Sequence, residues 1–381
     1  MSLNIIDHFS VLKDPRKIKV TYPLINIIFI TVCAIIAGAE NFFDIVDYAE
    51  LKKDWLKKYL DLSEGIPSHD TFHRVFSLLD NALFTELFIE FTRRISQELR
   101  GVIGLDGKTM RGTKGRTPHS AIHILNAYCV ENQLCIGQFP MLEKSNEITA
   151  APLLLDKLDI KGGIITSDAL LCQQAIATKI IEKKADYLLA LKDNQSSLLE
   201  DVTFYFNEQD KKSDAWNTLN HVVTTEKGHG RVEVRNYYGI DTTDWGMSPK
   251  WSELNSIIRV RSIRYIKGIE THETRYYISS LLIQDFKKAA QAVRQHWCIE
   301  NNLHWQLDVS FNEDGWAAKA GNIAANIALI NKFALNLVKK ETSRKASLRR
   351  KRFSTALSDD YMEKVIFNAS SAESVGKLLI N

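Results

Sequence analysis

The sequence predicts an α/β protein with a helical N-terminal part and a β-rich insertion in its core. Three observations carry this. Up to about residue 99 the apolar positions recur at helical spacing, as in Phe72, Val75, Phe76 and Leu79. From Gly101 onward, short apolar runs bounded by turn formers alternate with helical stretches, the pattern of layered strands and helices. Between 196 and 282, the stretches 222–225, 231–240, 257–264 and 273–281 alternate or carry β-branched and aromatic residues, which predicts a mainly antiparallel insertion.

Taken in order, the uncharged run from Leu24 to Ala37 comes first. It is too short for the roughly twenty residues that span a bilayer, and charged residues precede it, so a buried core helix is expected. A helical stretch holding Phe42, Ile45, Trp55 and Leu60 follows, then the break Gly65-Ile66-Pro67-Ser68, with Ser68 placed to cap the next helix. The last N-terminal helix is expected over 83–99. Strands are then expected at 102–105, stopping on Asp106, at 122–130 and 134–139, at 164–167, stopping on Asp168, and at 187–191, with helices over 150–158 and 172–184. After the insertion a helix runs from Asp285 to about 308 and another covers 324–339. This divides the chain into 1–99, 100–195, 196–282, 283–340 and a basic 341–381.

Composition excludes little. In 381 residues, 45% are hydrophobic and 25% charged, ordinary for a globular protein. A net charge of +3 is too small to argue for a nucleic-acid partner, so that case must rest on where charges cluster. The five cysteines form no CxxC pair, which predicts reduced thiols in a cytoplasmic protein with no membrane segment.

Asp106 and Asp168 each follow an apolar strand, and strand ends are where α/β sheets bind ligands. Hard cations such as Mg²⁺ take carboxylate oxygens, and a third carboxylate would complete a site for phosphoryl transfer. An aspartate after a strand is equally a turn or cap residue. Glu300 is the leading third candidate, in His296-Trp297-Cys298-Ile299-Glu300-Asn301-Asn302-Leu303-His304. Positions 296, 300 and 304 share one helical stripe. A solvated helix face, or zinc held by His296, Glu300 and His304, would fit the same pattern. Glu313 and Asp314 are reserve carboxylates.

Gly65-Ile66-Pro67-Ser68-His69-Asp70-Thr71-Phe72, Asp106-Gly107-Lys108, Ile299-Glu300-Asn301 and His304-Trp305, with further blocks in the same order, resemble a known family: the H-repeat-associated group of bacterial insertion-sequence transposases, within the DDE superfamily. The resemblance covers nearly the whole chain. It includes Tyr22-Pro23-Leu24, Ala37-Gly38-Ala39-Glu40, Gly65-Ile66-Pro67-Ser68-His69-Asp70-Thr71-Phe72, Asp106-Gly107-Lys108 and 143–150. It continues through 189–195, Lys227-Gly228-His229-Gly230-Arg231, Ile299-Glu300-Asn301, His304-Trp305, Leu307-Asp308-Val309 and 311–314. It implies an RNase H-like core and makes Asp106, Asp168 and Glu300 a catalytic, metal-holding triad using Mg²⁺, with Mn²⁺ as a substitute. The implied reaction is cleavage of double-stranded DNA at element ends, freeing a 3′-hydroxyl that attacks target DNA. A homodimer on DNA in the cytoplasm, associated with the nucleoid, is the implied assembly.

DNA contacts are expected from local cations. These are Lys108 and Arg111 beside the first aspartate, Lys192 and Asn194 after a strand, and Lys227, His229 and Arg231 on a glycine-bearing loop. His304 near Glu300 joins them, as do Lys319 and the run of eight Lys or Arg between 339 and 352, notably Arg349 and Arg350. After Asp314 the family usually carries several basic residues, whereas Gly315-Trp316-Ala317-Ala318 leaves only Lys319. A general Mg²⁺-dependent nuclease and a catalytically silent DNA-binding descendant are the competing readings.

Overall fold

The computed structural model describes residues 5–17, 20–96, 99–114, 121–141, 146–212, 220–228, 230–242, 250–317 and 320–367. Nine strands among them form a single sheet. They are β1 (Gly101–Thr109), β2 (His123–Cys129), β3 (Leu134–Met141), β4 (Gly163–Ser167), β5 (Asp186–Leu191), β6 (His221–Gly228), β7 (Arg231–Asp241), β8 (Ser256–Ile266) and β9 (Ile269–Ser279). Their order is β3-β2-β1-β4-β5-β9-β8-β7-β6. β1 pairs antiparallel with β2 and parallel with β4, β4 pairs parallel with β5, and β9 adds antiparallel to β5. The first five strands make the mixed sheet of an RNase H-like core. The insertion is antiparallel, as its alternating pattern predicts, and it extends that sheet without a break. It also opens with a helix, Ser196–Asp210, which the strand-rich reading of 196–282 passed over; Val202 and Phe206 bury its inner face.

The Leu24–Ala37 helix forms at the expected residues because it is apolar on all sides, and 12 of its 14 residues are buried. Pro23 precedes it, and Gly38 ends it at φ 124°, a conformation glycine adopts without strain. It packs on the Ile323–Lys340 helix, which also lies against β3. Buried asparagines tie the Ile323–Lys340 helix to the His69–Leu78 helix and to β3. Asn326 Nδ2 donates to the Phe76 and Leu79 carbonyls, and Asn336 Nδ2 donates to the Cys135 carbonyl. One apolar cluster therefore runs from Ile5 in the N-terminal helices through the sheet to Ile366.

The site follows from register. Leu105 pairs with Ser167, so Asp106 and Asp168 are the next residues along two adjacent parallel strands. The expectation that β1 stops at Asp106 needs correction, because β1 continues to Thr109 against β2. Only its parallel edge ends at Leu105, which leaves Asp106 beside the gap where β4 turns away.

Candidate active site

Each aspartate is oriented by the backbone. Asp106 Oδ1 accepts the Gly107 N–H at 2.9 Å. Asp168 caps the short turn Ala169–Leu171, with Oδ1 accepting the Leu170 N–H at 3.1 Å. Asn194, expected to face DNA, is exposed, and its Nδ2 donates to the Ala169 carbonyl at 2.7 Å, bracing the turn that carries Asp168. Burial pushes the Asp106 carboxyl up to about 6; the Asp168 and Glu300 carboxylates push the same way, against His304 and the Gly107 N–H.

Glu300 arrives on an irregular element. The expected continuous helix from Asp285 to 308 is instead three pieces: Phe286–Gln295, a π-helical turn Glu300–His304, and Trp305–Phe311. Single π turns concentrate at functional sites because they re-aim side chains. This one lies close over β1, since a Cβ on Gly104 would meet Ile299 at 3.3 Å. Within the turn, buried His304 places Nδ1 3.1 Å from Glu300 Oε2 and 3.5 Å from Asp106 Oδ2. Asn126 Nδ2 donates to the Ile124 carbonyl and faces His304 Nε2 at 3.3 Å. An amide nitrogen only donates, so Nε2 accepts and Nδ1 carries the proton that Glu300 receives. Ligand atoms of Asp106, Glu300 and His304 all lie within 4.8 Å of one another.

The other half of the stripe separates from this group. His296 Nδ1 lies 3.0 Å from Thr166 Oγ1, and burial holds its imidazole down to about 4. A zinc trio of His296, Glu300 and His304 is therefore not assembled: the turn at 296–297 and the π turn break the common stripe. Glu313 and Asp314 are engaged elsewhere by Lys108. That ammonium lies 2.7 Å from Asp308, 3.1 Å from Glu313 and 3.3 Å from Asp314. Lys108 thus points into a carboxylate cage, away from any solvent-borne phosphate.

Among the remaining expected contacts, Arg111, Lys192, Lys227, Arg231, Arg349 and Arg350 are exposed. His229 and Lys319 lie outside the described residues. The basic run is split: Lys351 donates to the Val338 and Glu341 carbonyls and Arg352 to those of Ile35 and Ile36. Asn126, unnoticed in the sequence, was legible there as a lone amide within the apolar strand His123–Cys129. The buried pair His123 Nε2 and Glu147 Oε1, 2.5 Å apart under Gly107, was not legible, because the two residues are 24 apart in the chain. A Cβ at Gly107 would come within 2.3 Å of both atoms. Gly107→Ala is expected to cost about 1–3 kcal/mol in urea unfolding by overpacking this buried pair; an unchanged midpoint would show that the pair yields freely.

An RNase H-like sheet with acidic side chains gathered at the end of its central parallel strands defines a DDE-type protein. The chain belongs to the family described as "Transposase DDE domain", which matches residues 97–337, and residues 6–92 match "DDE_Tnp_1-associated". It is 41% identical to the putative transposase YncI of Escherichia coli O157:H7, over 96% of this chain and 95% of that protein. It is 38% identical to the H repeat-associated putative transposase YhhI of Escherichia coli K12, over 95% and 97%. A shorter relative described as "Inactive transposase YbfQ" matches 19% of this chain at 45% identity. The H-repeat-associated resemblance read from the motifs is thereby shown. No single helix among the described residues is long and apolar enough to cross a membrane.

Proposed function

We propose that this protein cuts double-stranded DNA at the ends of an insertion element and joins the freed 3′-ends to target DNA. The observation that carries this is the convergence of Asp106, Glu300 and His304, with Asp168 on the neighbouring strand. The donor set fits a divalent cation: burial, with smaller contributions from the Asp168 and Glu300 carboxylates, disfavours an ionised Asp106, and a bound cation would offset that. Mg²⁺ or Mn²⁺ held by Asp106, Asp168 and Glu300 would supply charge opposite the phosphate and activate the attacking oxygen.

The chain's own residues do the orienting. His304 holds one oxygen of Glu300 and leaves the other free; Leu170 N–H does the same for Asp168. Five arginines at 231, 235, 264, 275 and 294 line a cavity of about 370 Å³ that opens beside Glu300 and Asn301. Each of these guanidiniums is paired with Glu226, Glu233 or Glu273, so phosphate, the main source of DNA affinity, would reach them next to the site by exchanging with those glutamates. Exposed Arg349 and Arg350 extend the contact, and a homodimer would hold the two element ends together.

The test is nicking of plasmid carrying the flanking inverted repeats in Mg²⁺. Wild type should nick and join. Glu300→Gln should lose about a thousandfold or more in rate, the scale set by removing transition-state charge stabilisation. Full nicking by Glu300→Gln would sink the reading, and cutting without joining would leave a nuclease.

A further inference from the structure

We propose that Lys339 is a positioning residue whose ammonium holds the π turn bearing Glu300 in place, an inference that rests on the role proposed for Glu300. Lys339 belongs by sequence to the basic run, yet its Nζ is turned inward. It donates to the Asn302 carbonyl at 2.7 Å and to the Tyr128 hydroxyl at 3.0 Å, and lies 4.8 Å from the centre of the Tyr128 ring. Asn302 is the middle residue of the turn Glu300–His304.

A π turn widens the helix, and its carbonyls lose the alignment that satisfies them in an α-helix. A carbonyl left unpaired there would be costly, and a charged donor is the stronger remedy. Lys339 comes from the long buried Ile323–Lys340 helix, and Tyr128 from β2, two residues beyond Asn126. The ammonium therefore ties the turn to the helix and strand that build the core. The groups facing it are Tyr128 on β2, Cys135 on β3, Cys298 just before the turn and the Asn302 carbonyl. Burial brings the Lys339 ammonium down to about 8, with Cys135 and Cys298 opposing the shift. The clamp should therefore be strongest below that pH and weaken above it.

The experiment compares wild type, Lys339→Met and Lys339→Arg by amide hydrogen exchange without metal, and by the Mn²⁺ concentration giving half-maximal nicking. In Lys339→Met, exchange across 298–306 should quicken about tenfold or more while β1 and β4 stay protected, the scale of one charged hydrogen bond. The Mn²⁺ midpoint should rise about as much, and Lys339→Arg should restore both. In wild type, after correction for intrinsic rates, protection of the same segment should fall between pH 7 and pH 9. Unchanged exchange in folded Lys339→Met, or loss that Lys339→Arg does not restore, would overturn the inference. Absence of metal-dependent nicking in wild type would count against the function, while the exchange result would still decide the clamp.

Discussion

Asp106→Asn is expected to raise the thermal midpoint of the metal-free protein at neutral pH while removing DNA cleavage. In an unfolded chain an aspartate ionises near 4, whereas burial pushes Asp106 up to about 6 in the folded protein. A raised carboxyl stabilises the fold below its unfolded value, and that contribution is lost as pH rises through about 6. At pH 7.5 the folded chain therefore carries an ionised carboxylate at a cost. The full shift corresponds to about 3 kcal/mol, and with the side chain 27% exposed a discounted gain of about 1–2 kcal/mol is expected for the amide. In a chain of this size that is a few degrees. The gain should shrink towards pH 4.5, and Mg²⁺ should stabilise wild type more than the variant. Scanning calorimetry at the two pH values, with and without EDTA, checks this. A lower midpoint for Asp106→Asn at pH 7.5 without metal would remove the strained carboxylate from the account.

Lys108→Met should be the most destabilising single substitution near the site, by about 3–5 kcal/mol, because it breaks a buried ion network on one side. The Lys108 side chain is 9% exposed and that of Glu313 only 1%, and Glu313 would keep Lys332 alone, at 3.5 Å. Burial works against the Glu313 carboxylate, and the Lys332 and Lys108 ammoniums overcome it. Urea unfolding measures the loss, and gel shift of the folded fraction measures DNA affinity. Little change in stability with a large loss of affinity would restore the simpler expectation that Lys108 grips phosphate.

Much of the architecture was legible because its signals are local. The stretch Leu24–Ala37, uncharged and apolar but for Asn26 and Thr31, presents no polar face to water, and the alternation in β7 and β8 marks a sheet face. The π turn was not legible: its four-residue spacing suits an ordinary helix equally well, and only packing against β1 at Gly104 and the Lys339 contact distinguish the two. Nor was the Ser196–Asp210 helix, whose mixed polar sequence gives a weak period.

By itself the sequence determined most of the strand and helix types, the family, and two aspartates at neighbouring strand ends, since hydrophobic period and short motifs are read within a few residues. The tertiary structure alone decided which charges face solvent. Lys108, Lys339, Lys351 and Arg352 turn inward and Arg111, Arg349 and Arg350 outward, although all are cations in similar surroundings along the chain. The physical reason is that a buried cation needs a partner to offset its desolvation. Those partners, Asp308 for Lys108 and the Ile35 carbonyl for Arg352, come from distant parts of the chain that only folding brings together.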